Sequence, residues 1–372
     1  MKRKFSILIV SAVIIGLALS LVGMALTSQT ASAEKDQNSS KQVPKPVSAT
    51  DVKVIKKIPA PDIGETKDKP SPPGQDKKPP GKEEEKPAAT GVLGELATGN
   101  KYAVVIGICD YPGTANDICA SDGDSLNMYK ALTTLYGYDP ANIYLFKDMG
   151  GTYFEENTTD SIPTIIAEKP TRENILSAIS AINASSTSSG DEVVFFFSGH
   201  GATGIADDGD GERIDEAIVV HNASSMDIDY IWDGELKTAF SGFATNRIAF
   251  IFDTCRAGGM NDLATSGRVI SMATGENQVA YVYSTAEEDV DGDGTPDGEG
   301  VFSHYFVNEG MLKGLADKYD HNKNNQYCGV GTCEPSDVVV EEAFDYANEI
   351  IPDIYKRQDS VISDNFIDNL LL

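Results

Sequence analysis

Four uninterrupted apolar runs mark the chain after residue 100: Tyr102–Cys109, Glu192–Ser198, Arg247–Asp253 and Val279–Ser284. Continuous runs, unlike alternating ones, are the pattern of strands buried on both faces. Helix-like segments lie between and after them, at Ser125–Tyr136, Thr171–Ala184, Asp233–Phe240, Phe302–Leu312 and Ser336–Ile350. Thr171 is a capping residue and Glu173 an early acid, as helix starts require. Strands alternating with helices predict one α/β domain around a mostly parallel sheet.

The chain before residue 99 reads differently. Lys2, Arg3 and Lys4 precede an apolar stretch from Phe5 to about Leu26, and Ala31-Ser32-Ala33 follows. Small residues in this arrangement suit signal-peptidase cleavage before Glu34. The stretch is also long enough to span a bilayer as an uncleaved anchor. Either way the rest of the chain is exported. Residues 34–98 hold 10 of the 17 prolines and 12 lysines. Such a segment cannot bury enough apolar surface to fold and is read as a disordered, semi-extended tether. One apolar patch, Val52–Ile58, is read as part of the solvated tether, with a docking strand as the alternative. The organisation expected is a signal or anchor over 1–33, a linker over 34–98 and one folded α/β domain over 99–372.

Composition narrows the function. With 41% hydrophobic and 23% charged residues, the 372-residue chain is neither disordered throughout nor a multi-span membrane protein. Its net charge is −27, and residues 99–372 alone carry −31. That leaves no electrostatic route to a phosphate backbone, so nucleic acid is excluded as a partner. Calcium or basic peptides fit such a surface.

Parallel sheets present functional groups at the carboxyl ends of their strands. One run ends Ser198-Gly199-His200-Gly201 and another ends Asp253-Thr254-Cys255-Arg256-Ala257-Gly258-Gly259. A cysteine nucleophile needs an imidazole to take its proton and backbone N–H groups for the oxyanion. His200 and Cys255 form the candidate dyad, with the N–H groups of Gly201 and Cys255 as oxyanion donors.

These motifs, 55 residues apart from His to Cys, resemble the caspase, legumain and gingipain group of cysteine peptidases. The similarity is closest to metacaspases. Their acidic loop ending Asp-Glu-Ala-Ile matches Asp207–Ile218, and their Ile-x-Asp-x-Glu-Leu matches Ile231–Leu236. Their Asp-Ser-Cys-His-Ser-Gly-Gly matches Asp253–Gly259, with Thr254, Arg256 and Ala257 as departures. The resemblance implies a caspase-like α/β/α sandwich. It implies His200 as base and acid, Cys255 as nucleophile, and Asp253 in a primary pocket for Arg or Lys. The second pocket acid is either Asp124 or Asp122. It also implies calcium at Asp215, Asp233 and Asp262, with Trp232 standing where another acid is expected.

A separate calcium signal rests on spacing. Asp289, Asp291, Asp293, Thr295 and Asp297 occupy positions 1, 3, 5, 7 and 9 of an EF-hand-type loop, with Gly294 at position 6. Position 12 is Gly300, and Glu299 is the nearest carboxylate. An acidic turn without metal is the alternative there. Asp320, Asn322, Asn324 and Gln326 begin a second such loop, which lacks the glycine and is interrupted before Ser336. Setting Cys255 aside, four cysteines remain, and export favours Cys109–Cys119 and Cys328–Cys333 disulfides among the three possible pairings. The expected protein is therefore a secreted or surface-tethered, calcium-activated, self-processing cysteine endopeptidase acting on exposed Arg or Lys, touching membrane only through its N-terminus. Lys82, Lys86 and Lys101 are candidate self-cleavage sites. The alternative is a catalytically silent calcium-binding module on the same scaffold.

Overall fold

Two short strands, β1 (Lys53–Ile55) and β2 (Ile58–Pro59), precede the main body. The computed structural model describes residues 53–55, 57–59, 87–113, 116–148, 168–209, 212, 214–225, 227–283, 298–318 and 337–372. All of these fall within one unit, Pro44–Leu372. The body continues with β3 (Lys101–Ile108), α1 (Ala120–Thr134), β4 (Ile143–Asp148), α2 (Arg172–Ser185), β5 (Glu192–Ser198) and β6 (Gly201–Gly204). Next come β7 (Asp215–His221), β8 (Ile228–Trp232), α3 (Asp233–Ala239), β9 (Ile248–Asp253), β10 (Arg268–Met272), β11 (Tyr281–Tyr283) and β12 (Glu299–Gly300). The chain closes with α4 (Val301–Ser303), which runs on as a π-helix over His304–Leu312, then α5 (Val340–Ile354) and β13 (Val361–Asp364).

The central sheet has the order β13-β10-β9-β5-β3-β4, parallel throughout except for β13. Alternate residues of each apolar run feed opposite cores. Val193, Phe195 and Phe197 join Ile248, Phe250 and Phe252 on one face, where α2 and α3 pack. Val194, Phe196, Ala249 and Ile251 face the other, with α1, the π-helical stretch and α5. This is the expected three-layer α/β/α sandwich. Among the described residues, no helix is long and apolar enough to cross a membrane.

Two expectations change. The run Val279–Ser284 does not join the central sheet. Its strand β11 lies in a separate ribbon with β12 and β2, where Tyr281 and Tyr283 lie against Tyr355 and stay half-buried. The tether is also not solvated throughout. Residues 53–55 and 58–59 are paired as strands, and the folded body begins before residue 99. The amides of Ala88 and Ala89 both donate to Asp345, at 2.8 and 2.9 Å, and Thr90 is bonded to Asn369. Backbone polar groups satisfied in this way hold a polar segment that has little apolar surface to bury.

One buried charge set ties the sheet to both ends of the domain. Glu192, at the start of β5, is fully buried; it accepts from Arg247 Nε and from Tyr138 Oη at 2.7 Å. The same guanidinium donates to the carbonyls of Glu95 and Leu371. Lys101 Nζ also lies 3.7 Å from Glu192, but it is partly exposed, so removing Arg247 leaves the buried carboxylate under-compensated; breaking a buried pair costs up to about 3–5 kcal/mol. We expect Arg247→Met to lower unfolding free energy by that amount in urea denaturation, and Arg247→Met with Glu192→Leu to recover most of it.

Candidate active site

The site forms where β5 and β9 end side by side. Ser198 and Asp253 are register partners, and the Gly199 amide donates to the Asp253 carbonyl at 3.3 Å. His200 and Cys255, each two residues further on, therefore leave adjacent strands at the same end. Gly201 presses against the Cys255 backbone: a Cβ at 201 would lie 2.1 Å from the Cys255 carbonyl oxygen, so only glycine allows this approach. Arg256 turns the chain sharply after the nucleophile, with φ of 59°, in the left-handed region that non-glycine residues seldom adopt.

His200 is held from the loop between β3 and α1. Its Nε2 donates to the Asn116 carbonyl at 2.8 Å. A carbonyl can only accept, so Nε2 carries the hydrogen and Nδ1 is the basic nitrogen. The Tyr111 ring lies 4.4 Å from the imidazole, and Tyr111 Oη accepts from the His200 amide while donating to the Val219 carbonyl, each at 3.0 Å. The Cys109–Cys119 disulfide, formed as expected, brackets the loop carrying Tyr111 and Asn116. Cys255 is the free thiol among the described residues and is buried. Its Sγ accepts from the Ala280 amide at 3.3 Å. Burial pushes the thiol up to about 11, against the pull of the Ala280 hydrogen bond and of Lys57.

Beside the dyad two carboxylates share one buried compartment. Asp253 Oδ2 accepts from the Ser303 amide and hydroxyl at 3.0 and 2.8 Å. Asp124 accepts from the Gly300 amide at 2.9 Å and from Ser198 Oγ at 2.6 Å. Gly300 is wedged between them: a Cβ there would lie 2.1 Å from Asp253 Oδ2 and 2.7 Å from Asp124 Oδ2. The compartment holds a cation from the chain itself. Lys57 Nζ lies 3.1 Å from Asp253 Oδ1 and 3.9 Å from Asp124 Oδ2, and donates to Ser198 Oγ at 2.9 Å. Its side chain is fully buried. Of the two alternatives for the second pocket acid, Asp124 is the one beside Asp253. Asp122 lies with Lys147, 3.8 Å away. Residues two apart on a helix point about 200° from each other, so both cannot enter one pocket.

The acids implied for calcium separate. One oxygen each from Asp208, Asp215 and Asp233 lie within 4.8 Å of one another, and Glu212, Glu216 and Asp233 form an overlapping set. Asp215 and Asp233 are buried. At an effective dielectric near 20, two such charges repel by about 3–4 kcal/mol, and hard oxygen donors in this spacing suit calcium. Burial, helped by Glu276 and Glu212, pushes Glu216 up to about 7. Asp262 instead pairs with Lys237 at 3.1 Å. Glu299 is engaged elsewhere, accepting from Asn127 and Asn308 and pairing with His304, so its carboxylate is already committed. Asp289, Asp291, Asp293, Thr295, Asp297, Asp320, Asn322, Asn324, Cys328 and Cys333 lie outside the described residues. Sequence reasoning missed Lys57, Ser303, Tyr111 and Asn116. The acidic run Asp207–Glu212 signalled Asp208 and the apolar patch Val52–Ile58 signalled the strand around Lys57, but no local signal marks the other three.

Burial pushes Asp124 up to about 8, with Lys57 opposing and Asp253 adding to the rise. Without Lys57 it lies higher still. A bound ammonium favours the carboxylate, so binding and ionisation are linked with a positive sign in pH. We expect an uncleavable lysyl peptide to bind a Lys57→Ala chain more tightly as pH rises from about 8. Asp124→Asn removes that dependence, and the inhibition constant across pH checks it.

The family model described as Caspase domain matches residues 100–322. Metacaspase-4 of Arabidopsis thaliana is 33% identical over 167 residues, covering 44% of this chain and 35% of that protein. Metacaspase-1 of Kluyveromyces lactis is 30% identical over 169 residues, covering 45% and 35%. The chain thus spans about a third of the length of these curated relatives. Among solved structures, the Drosophila initiator caspase Dronc matches with a TM-score of 0.43 and 11% identity, over 73% of this chain and 82% of that one. The strand-end dyad and the family match together place this chain in the caspase-domain family of peptidases, with metacaspases among its relatives.

Proposed function

We propose that the protein is a cysteine endopeptidase that cleaves after lysine or arginine. The observation that carries the specificity is Lys57, an ammonium seated against Asp253 and Ser198 with Asp124 behind. An ammonium or guanidinium of a substrate meets the same acceptors, in charge-assisted hydrogen bonds that are stronger than neutral ones. Nδ1 of His200 takes the Cys255 proton as Sγ attacks the peptide carbonyl. The N–H groups of Gly201 and Cys255 are the donors for the oxyanion. The imidazolium then protonates the departing amine, and water, activated by the same nitrogen, hydrolyses the thioester.

Calcium activation is part of the reading and is supported by the convergence of Asp208, Asp215 and Asp233. A cation there relieves their repulsion and ties the loop before β7 to the start of α3. Export is supported by the Cys109–Cys119 pair, since disulfides persist in oxidising compartments. Self-processing within the tether remains part of the proposal at Lys82 and Lys86. Lys101 is excluded, because it lies in the β3 ladder opposite Glu192.

Reporter peptides with Arg, Lys or Asp before the scissile bond test the reading. Cleavage after Arg and Lys, absent in Cys255→Ala, is expected; cleavage after Asp contradicts it. No cleavage in any condition leaves the silent calcium-binding module. Calcium is expected to raise the melting temperature, with a free-energy gain of about 2.7 kcal/mol at a hundredfold excess over Kd. Asp233→Asn should lessen that rise. An undiminished rise in the variant transfers the calcium to 289–297, and no rise in the wild type removes calcium from the account.

A further inference from the structure

The two pocket acids come from β9 and α1, but the donors that hold them come from elsewhere. Gly300 ends β12 and Ser303 completes the short helix α4, a turn that lies outside the central sheet. One residue before Gly300 stands Glu299, a buried carboxylate that neither the dyad nor the pocket uses. It accepts from Asn127 Nδ2 at 3.0 Å and from Asn308 Nδ2, and it pairs with Nδ1 of His304. Asn127 lies three residues after Asp124, on the same face of α1. The turn is therefore fastened to α1 twice, Gly300 to Asp124 and Glu299 to Asn127, one helical turn apart. His304 follows Ser303, so its bond to Glu299 closes the turn on itself, with Gly300 near one end and Ser303 near the other. The Tyr283 and Tyr305 rings meet the imidazole edge-on, at 5.2 and 4.8 Å, and their hydroxyls bond to each other at 2.8 Å. Its Nε2 lies 3.7 Å from Glu309, which accepts from Tyr346 of α5 at 2.9 Å.

Burial works against the charge of Glu299, yet the bonds from His304 and Asn308 outweigh it and hold the carboxyl below its usual range. That charge adds to the cost of ionising Asp124. An apolar residue of similar volume would avoid the cost. What it could not do is gather donors from α1 and from the π-helical stretch at one point. We propose that Glu299, closed by His304, is a positioning residue for basic-side-chain specificity: it sets the Gly300 and Ser303 donors at the spacing that readies Asp124 and Asp253 for a substrate ammonium or guanidinium. This rests on the reading of those two acids as the pocket for a cationic side chain. Glu299 touches no substrate and acts through the turn. Without it the donors at 300 and 303 lose register with the acids, and a buried carboxylate short of donors ionises less readily and binds a cation less well. His200 and Cys255 follow β5 and β9, outside the turn, so the loss falls on recognition of charge rather than on bond cleavage.

The test compares lysyl and norleucyl reporters in the full-length chain carrying Lys57→Ala, so that no ammonium of the chain itself competes. The readout is the ratio of the two kcat/KM values. Glu299→Leu and His304→Ala should each lower that ratio at least about tenfold, through KM for the lysyl reporter rather than kcat. His304→Asn places an amide nitrogen where Nδ1 stood and should keep the ratio within about threefold of the parent. Glu299→Gln keeps the shape and one acceptor; it serves if Glu299→Leu fails to fold, and should lower the ratio at least about threefold. Far-ultraviolet circular dichroism verifies each chain. An unchanged ratio in a folded Glu299 variant overturns the proposal. So does a proportional loss on both reporters, which marks general loosening, or a His304→Asn chain as impaired as His304→Ala. A parent with no preference for lysine removes the pocket reading itself, and the proposal with it.

Discussion

Two carboxylates buried side by side, Asp253 and Asp124, set the terms for the rest of the site. Each is removed from water, and the charge of Asp253 raises the cost of ionising Asp124. A cation between them resolves that conflict. The fold prepares them for one: Ser303 holds the Asp253 oxygen that faces away from the ammonium, the Gly300 amide holds Asp124, and Ser198 Oγ accepts from the ammonium while donating to Asp124. Gly300 must be glycine for the acids to come this close. The proposed specificity follows from this arrangement: a pocket costly when empty and favourable when filled by a cation would select its ligand by charge before shape.

The catalytic pair depends on the same sheet edge. β5 carries Ser198 into the pocket and His200 into the dyad two residues later. β9 does the same with Asp253 and Cys255. Pocket and dyad are thus spaced by the strand repeat itself, and each strand is anchored by apolar residues on both faces. The loop after β3 then fixes the imidazole through Asn116 and Tyr111, and the Cys109–Cys119 bridge closes that loop. Burial raises the Cys255 thiol against the pull of the Ala280 amide and of Lys57.

Legibility followed the kind of force at work. The strands β3, β5 and β9 were readable because burial on both faces leaves a continuous apolar run. His200, Cys255 and Asp253 were readable because they end such runs beside glycine. The strands β4, β6, β7, β8, β10 and β13 were not identified, and Val279–Ser284 was placed in the wrong sheet, since its tyrosines are covered on one side only. Asp124 and Asp122 could be told apart only once the helix direction was known. The apolar patch Val52–Ile58 does mark the docked segment around Lys57, and the solvated-tether reading of it is the one the structure overturns. What the patch does not report is the lysine's own place, because its side chain is held by a charge and a hydroxyl, which leave no periodic trace. Ser303 and Gly300 reach the pocket across some fifty residues of chain from Asp253 and likewise carry no local mark.

The central claim is that the paired buried carboxylates read a cationic side chain. Norleucine has the length of lysine's carbon chain and lacks the ammonium. The most direct measurement is kcat/KM for two reporter peptides differing only in lysine or norleucine before the scissile bond. Charge-assisted hydrogen bonds of about 1.5–3 kcal/mol each predict a preference for lysine of at least about a hundredfold, collapsing in Asp253→Asn. Equal cleavage of the two peptides by the wild-type protein would contradict the account.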